Sequence, residues 1–597
     1  MWRNLDSNAD GITFSLKEPY VLLLLAFVTL GVYYPAILSD FCVMDDLRGV
    51  IGVLNLSAPD SAAGYSQILG LDQGGLYRRP LNNLVFYSLY LFSGDQALLF
   101  HLLNVLLHMG CGLVVYRLMK GKLEAGGRTS WLALVTALLF LLHPLNVEAV
   151  AWISGRGALM ASFFALLAFY YHQRVQTPTA DWRVWFAGGL YLLSLLTYEL
   201  AAAMPLAFVG WDLLRQPRQS WREAVKISYK RWLPYGLVLL AYLVFWGVNF
   251  CLSQTSPPGA VRKPVDLDFT FPTADFVSPV VGVGFYMKKM VFPWPLDFHI
   301  AQVVKVPYFL LGLGLLLLLF FGLRRRQEWV PWGWASLCGL LPILTLTVHS
   351  PSWTALAERY CYLASGFFVL SVGLLYVKLL NSRAGMLRRA LEVLPFVVLM
   401  IFGFSTASRI LVWQDDELLL ADTYEKSPDD GWVAYSYALV LGNSGRVEEA
   451  ERHLKRAYDL GYIAESALFL GRLEESKGNY EAAERYYLKA AWPSSDVRTL
   501  TRNFSPDVYN SLAHLHWTWI KSDPARAAHH QERAFHFFKR AYDFSNQDPM
   551  ILYNMGKFCL EQRNLSLARE CFRQVYERAP NTYYGKAAGK LLTAEVH

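Results

Sequence analysis

Charge is what this chain has least of. Asp, Glu, Lys and Arg make up 17% of its 597 residues, whereas a soluble domain carries about 25%. A disordered chain is excluded, because 54% of the residues are hydrophobic and 15% aromatic, with mean hydropathy +0.25. A disulfide scaffold is excluded too. The seven cysteines form no CxxC pair and no zinc-like spacing. Cys111, Cys338 and Cys361 lie in or beside apolar runs and read as small hydrophobes. Cys559 and Cys571, twelve apart, read as helix packing rather than a disulfide. There is no fibrous repeat and no KDEL-type ending. What remains is a polytopic membrane protein with a soluble part.

The charges that are present divide the chain. Residues 415–597 hold 26 acidic and 23 basic residues among 183 positions, an ordinary soluble content. Residues 1–414 hold 22 acidic and 32 basic among 414. The expected organisation is a membrane domain over 1–412 and a soluble domain over 413–597.

Eleven apolar runs are long enough to be spans or short spans: 20–38, 97–117, 131–143, 157–172, 184–198, 200–214, 233–252, 304–322, 331–348, 362–380 and 391–410. Several fall short of the roughly 20 residues of an upright span. Short spans are tolerated inside a bundle, often beside a water-filled cavity. The run after Tyr20 is long for a signal peptide, and Ser39-Asp40 lacks a small-x-small pattern, so it reads as a retained first span.

Alternate connections are basic: Lys120, Lys122 and Arg128; Arg215, Arg218, Arg222, Lys226, Lys230 and Arg231; Arg324, Arg325 and Arg326; Lys378, Arg383, Arg388 and Arg389. The positive-inside rule puts these in the cytoplasm. The net charge of +7 is therefore an orientation signal, and a nucleic-acid partner is not expected. With eleven spans, the segments 39–96, 144–156, 253–303 and 349–361 share the opposite face with the soluble tail.

The tail repeats at about 34 residues. Ala438, Ala450 and Ala457 recur 33 positions later as Gly471, Ala483 and Ala490, with Gly445 and Gly478 at the turns between paired helices. A later unit has Gly556, Ala568 and Phe572 and closes at Pro580. Small residues let helices approach, and Leu454, Tyr487 and Phe572 fill the grooves. The third unit carries about nine extra residues near Lys521–His530, since Ala513 and Ala534 are 21 apart. Four tetratricopeptide-like units and a capping helix over Asn581–Leu592 are expected, forming an α-solenoid; such solenoids mostly bind proteins or peptides on a concave face, and a structural spacer is the alternative.

Polar residues interrupt the apolar part at a few places. Asp45-Asp46 follow the first span, and Tyr77-Arg78-Arg79-Pro80-Leu81 come next. His101, Asn104 and His108 fall on one face of a spanning helix, which would face the bundle interior or a cavity, either for function or for interhelical hydrogen bonding. The third span ends in His143-Pro144-Leu145-Asn146-Val147-Glu148, which leads through Trp152 and Ser154 to Gly155-Arg156. Glu199 separates two short runs, and Glu358-Arg359-Tyr360 precede the tenth span. Each acid could be a helix cap or an ion-pair partner. An outer-face carboxylate can also deprotonate a hydroxyl, and an arginine can hold a phosphate.

In this order, together with Ala149-Val150-Ala151-Trp152, Ala357-Glu358-Arg359-Tyr360 and Trp413-Gln414-Asp415-Asp416-Glu417-Leu418, the motifs resemble the TMTC family of transmembrane and tetratricopeptide repeat-containing O-mannosyltransferases. The resemblance covers nearly the whole chain. It implies an all-α fold, a GT-C-type transmembrane helix bundle of about eleven spans followed by a C-terminal tetratricopeptide-repeat solenoid. It implies transfer of a mannose-like hexose from a polyprenyl-phosphate donor to protein hydroxyl groups on the non-cytoplasmic face. The catalytic residues would be Asp45 and Asp46, and the donor-phosphate ligands Arg78, Arg79, Arg156 and Arg359. His101, His108, His143, Glu148, Glu199 and Glu358 would support them. No metal is required by this scheme, although a divalent ion could sit at Asp45-Asp46. The partners would be the lipid-linked sugar, the bilayer and a protein acceptor held by the repeats. A short chain with few repeats suggests a bacterial inner membrane with the tail in the periplasm, or a luminal tail in an endoplasmic reticulum membrane. The alternatives are a non-catalytic scaffold, in keeping with Leu159 and Tyr198 at positions where the family pattern is usually acidic and basic, and a transporter, for which no inverted repeat is evident.

Overall fold

The computed structural model describes residues 17–42, 46, 79–124, 131–175, 181–215, 221–254, 277–300, 303–344, 356–491, 505–545, 548–580 and 582–594. Asp45, Tyr77, Arg78 and Arg128 lie outside the described residues. All regular structure among the described residues is helical. The chain divides into two compact units, with the boundary between Asp422 and Thr423.

The first unit opens with α1 (Glu18–Ile37). It is apolar on every side, so no amphipathic pattern decides how it packs. One stripe, Val21, Leu25, Thr29, Tyr33 and Ala36, turns inward, while Leu23, Phe27 and Tyr34 stay exposed as a lipid-facing surface. All eleven apolar runs contain helix. Among the described residues, seven helical stretches have the length and composition to cross a membrane, and an eighth candidate is a pair, Trp131–Leu141 and Pro144–Ala151, bent by 46°. Helices over Trp182–Thr197, Met204–Arg215 and Val330–Leu344 are shorter, at 16, 12 and 15 residues.

Two segments expected as loops carry helices as well, Pro80–Ser93 and Val277–Val291. The second crosses the helix Lys305–Arg324 through facing glycines. A Cβ on Gly284 would lie 1.8 Å from the Tyr308 carbonyl oxygen, and one on Gly312 would lie 2.2 Å from that of Val280. Such approach is how apolar helices associate without a hydrophobic driving force.

The unit has two chemically distinct ends. At the start of α1, Glu18 pairs with Arg117 and Lys120 at 2.7 and 3.1 Å. Lys122 pairs nearby with Glu328, and Lys378 donates to Gln327. At the other end of α1, Tyr33 packs edge-on to His108, and the Pro35 carbonyl accepts from Gln414.

The second unit is a stack of helix pairs: Gly431–Asn443 with Val447–Asp459, Ile463–Ser476 with Tyr480–Ala491, Ser505–Ser522 with Ala527–Phe544, and Pro549–Glu561 with Leu565–Arg578, then Tyr583–Ala594. Asp430, Asp548 and Asn564 accept main-chain N–H groups at helix starts. The turn glycines behave as their positions require, with φ of +78° at Gly445 and +79° at Gly478. Gly471 and Gly556 face Tyr487 and Phe572, where a Cβ would lie 2.5 and 2.7 Å from the ring carbons. The extra residues of the third unit do not form a loop. They lengthen both of its helices to 18 residues each, against 13 in the first pair. Cys559 and Cys571 are buried free thiols.

Candidate active site

The site is built on the break after the third span. Pro144 lacks an N–H and cannot continue a helix, which frees carbonyl groups in an apolar setting where water cannot satisfy them. Side chains do so instead. Asn146 Nδ2 donates to the Phe140 carbonyl at 2.9 Å, His108 Nε2 to Leu141 at 3.0 Å, and Thr406 Oγ1 to Leu142 at 2.8 Å. His143 accepts the Leu145 N–H at Nδ1 and donates from Nε2 to Met290. The tyrosine hydroxyl of residue 362 supplies the second bond of His108, at 2.6 Å. Asn104 Nδ2 donates to the carbonyls of Val150 and Trp152, and His101 Nε2 to that of Asp40. The polar stripe His101–Asn104–His108 is thus buried, as its spacing implies, and each member holds a main-chain carbonyl.

The segment then runs through a short helix, Val147–Ala151, and a single 3-10 turn, Ile153–Gly155, into the helix Arg156–His172. The turn needs glycine, since a Cβ at Gly155 would lie 2.4 Å from the Ala149 carbonyl oxygen. It presents two groups in succession. Ser154 donates from its N–H, at 2.8 Å, and from its hydroxyl to Oδ1 of Asp46, whose Oδ2 accepts from the Cys42 N–H at 3.3 Å. Arg156 follows two positions later, close enough for its charge to act on Asp46. Burial pushes the Asp46 carboxyl up to about 6, against the pull of these hydrogen bonds and of Arg156.

Arg156 is 1% exposed, and its Nε and Nη1 have no hydrogen-bond partner among the described residues. Its guanidinium rests 5.0 Å from the centre of the Phe86 ring. Unpaired buried donors of this kind are costly and rare, and they suit an anion.

Two of the other expected cations, Arg359 and Arg79, have partners of their own. Arg359 donates to Glu148 from both its backbone N–H and its guanidinium, and lies against the rings of Trp152 and Tyr360. Arg79 makes a two-pronged pair with Glu199, at 3.1 and 2.7 Å, and stacks 3.7 Å from the Tyr198 ring centre. Glu358 accepts from Lys289 at 2.7 Å and from the Asp297 N–H at 3.0 Å. The structure thus brings Asp46 beside Arg156 and ties Glu148 to Arg359 and Arg79 to Glu199. His108 and His143 are engaged at the helix break.

Sequence reasoning missed Ser154 and Lys289. The first sits inside the quoted motif but carries no charge to single it out. The second lies in a segment expected to be a loop, although two adjacent lysines in an apolar stretch are a usable signal. Among the described residues no three His, Cys, Asp or Glu side chains converge as metal ligands would.

Residues 464–491 and 551–582 match the tetratricopeptide repeat model. A protein O-mannosyl-transferase of Caenorhabditis elegans is 22% identical over 458 residues, covering 74% of this chain and 62% of its own length. Protein O-mannosyl-transferase TMTC2 of Mus musculus is 29% identical over 36% of this chain and 27% of its own. The human TMTC4 is 30% identical over 28% and 25%. The matches therefore span between a quarter and 62% of those relatives. The chain is TMTC-like: a bundle of apolar helices joined to tetratricopeptide repeats, similar in sequence to protein O-mannosyl-transferases.

Proposed function

We propose that the chain is a membrane glycosyltransferase that moves a mannose-like hexose from a polyprenyl-phosphate donor to a protein hydroxyl. The observation that carries this reading is a buried Arg156, whose Nε and Nη1 have no hydrogen-bond partner among the described residues, within electrostatic reach of the buried carboxylate of Asp46. In the reaction the acceptor oxygen forms a bond to the anomeric carbon as the bond from that carbon to the phosphate oxygen breaks. The hydroxyl proton passes to Asp46, and the phosphate leaves with the bonding electrons toward Arg156. A carboxylate that titrates near 6 is ionised at neutral pH and still basic enough to take a proton. The similarity to protein O-mannosyl-transferases supports the sugar and the acceptor class.

The basic groups gathered at the Glu18 end and the site at the other end of the bundle support chemistry on the non-cytoplasmic face. The repeats would recruit the acceptor there, in a periplasm or an equivalent lumen. The scheme routes no step through a metal.

The full chain in lipid nanodiscs, given labelled polyprenyl-phosphate mannose and a Ser/Thr-rich peptide, should transfer label. Transfer that survives Asp45→Asn with Asp46→Asn would sink the mechanism. A cysteine-accessibility map that puts residue 450 in the cytoplasm would separate the repeats from the site. One observation favours a second reading, a non-catalytic scaffold: Arg79 and Arg359 are already neutralised by Glu199 and Glu148. On that reading, partner proteins remain bound and function persists in the double Asp variant.

A further inference from the structure

Asp46 is held unevenly. Both donors of Ser154, its N–H at 2.8 Å and its hydroxyl, converge on Oδ1, whereas Oδ2 has one longer bond, 3.3 Å, from the Cys42 N–H. Hydrogen bonds to the charged form lower basicity, so the two oxygens of one carboxylate are made unequal. Oδ1 is the anchored oxygen and Oδ2 the more basic one. The anchor is rigid, because Ser154 belongs to the tight turn that Gly155 allows, and the next residue, Arg156, opens a helix. The same short segment thus sets both the orientation of the acid and the position of the cation.

We propose that Ser154 is a positioning residue for the transfer reaction: it grips Oδ1 of Asp46 so that Oδ2 receives the proton of the acceptor hydroxyl. The proposal rests on the reading of Asp46 as the base. In the step, a lone pair of the acceptor oxygen forms the new bond to the sugar carbon as the bond from that carbon to the phosphate oxygen breaks and the phosphate leaves with its electrons; the O–H pair stays on the acceptor oxygen and the proton lodges on Oδ2. After the product leaves, the proton passes to water. Ser154 keeps its own proton throughout, and its hydroxyl stabilises the ionised carboxylate before the step.

The test has two arms. The first needs no activity. Infrared spectra of the full chain in vesicles are recorded across pH, and the carboxyl band that disappears in Asp46→Asn is assigned to Asp46. Its midpoint should rise by about one pH unit in Ser154→Ala, which loses the hydroxyl donor, and return in Ser154→Thr, which restores it. The second arm is transfer of labelled mannose from polyprenyl-phosphate mannose to the Ser/Thr-rich peptide. In Ser154→Ala, kcat should fall by about tenfold with the KM for donor little changed, and the acid limb of kcat/KM should move up with the infrared midpoint. Ser154→Cys, close in shape but a weaker donor, should fall between. An unmoved midpoint and an unmoved acid limb in Ser154→Ala overturn the role of Ser154 while Asp46→Asn remains inactive. Full transfer by Asp46→Asn overturns the reading of Asp46 itself, and the proposal with it.

Discussion

Glu148 and Arg359, 211 positions apart in the chain, are joined twice: the Glu148 carboxylate accepts both the backbone N–H of Arg359, at 2.8 Å, and its guanidinium. The pair locks the segment after the broken third span to the turn Glu358–Cys361 that opens the helix Tyr362–Asn381. Both side chains are almost wholly buried. Their attraction serves the fold, because each charge would be costly alone.

Removing one partner should therefore unfold the bundle before it affects chemistry. Glu148→Ala should destabilise by about 3–5 kcal/mol. The expected result is a lower melting temperature in detergent and loss of monodisperse protein. Glu148→Ala together with Arg359→Met should recover part of that loss. A single variant as stable as the parent would contradict the structural role.

Arg156 should behave in the opposite way. Its buried guanidinium leaves Nε and Nη1 without partners among the described residues, so the fold gains little from it. Arg156→Met should keep or raise the melting temperature, since replacing buried charge by an apolar side chain is often neutral or stabilising. Transfer from the lipid-phosphate donor should nonetheless fall by roughly 100-fold, the worth of a charge-assisted phosphate contact. Residues built for function commonly trade stability in this way.

The pH dependence of Asp46 has two signs. Burial raises its folded value to about 6, above the ordinary 3.8. A raised value means that the folded state prefers the protonated acid. The stability contribution is thus fully present below about 3.8 and is lost as pH rises through about 6. The range corresponds to about 3 kcal/mol. On the proposed mechanism the ionised form is the active one, and transfer should fall as pH drops below about 6. Asp46→Asn should flatten the stability difference between pH 4 and 7, measured by thermal melts. It should abolish transfer at every pH.

The repeat unit offers a test of backbone strain. Arg563 stands in the left-handed region at φ +61°, in the turn position that Gly445 and Gly478 occupy in other units. A side chain there costs on the order of 1 kcal/mol. Arg563→Gly should slow hydrogen exchange in Pro549–Glu561 and Leu565–Arg578, the two helices it joins, and leave transfer unchanged. Faster exchange would show that the arginine contributes contacts that outweigh the strain.

The helices were legible because composition and period are local properties. A run such as Leu310–Phe321 can only be a buried or lipid-facing helix, and the 33-residue recurrence of Ala438, Ala450 and Ala457 can only be a stacked pair. The helix Val277–Val291 was not legible, because it is short and ends in Lys288 and Lys289, which resemble a loop. The lysines are instead accommodated by carbonyls and by Glu358.

Among the site residues, the kinds of group were visible and their partners were not. Arg79, Arg156 and Arg359 look alike in the sequence. Glu199 neutralises the first and Glu148 the third, and Arg156 keeps Nε and Nη1 without hydrogen-bond partners among the described residues. Such pairings join positions over a hundred residues apart and depend on how helices cross, which no local pattern encodes.

The sequence by itself determined two solvents, a set of apolar helices, a broken third span at Pro144 and a repeating helical tail. Each follows from what a short stretch of chain must do with its own hydrogen bonds and apolar surface. The tertiary structure alone decided which buried charges are paired within the fold and which one, Arg156, keeps open donors among the described residues. Desolvation penalises every buried charge alike, and only the packed arrangement says which of them has an opposite charge within reach.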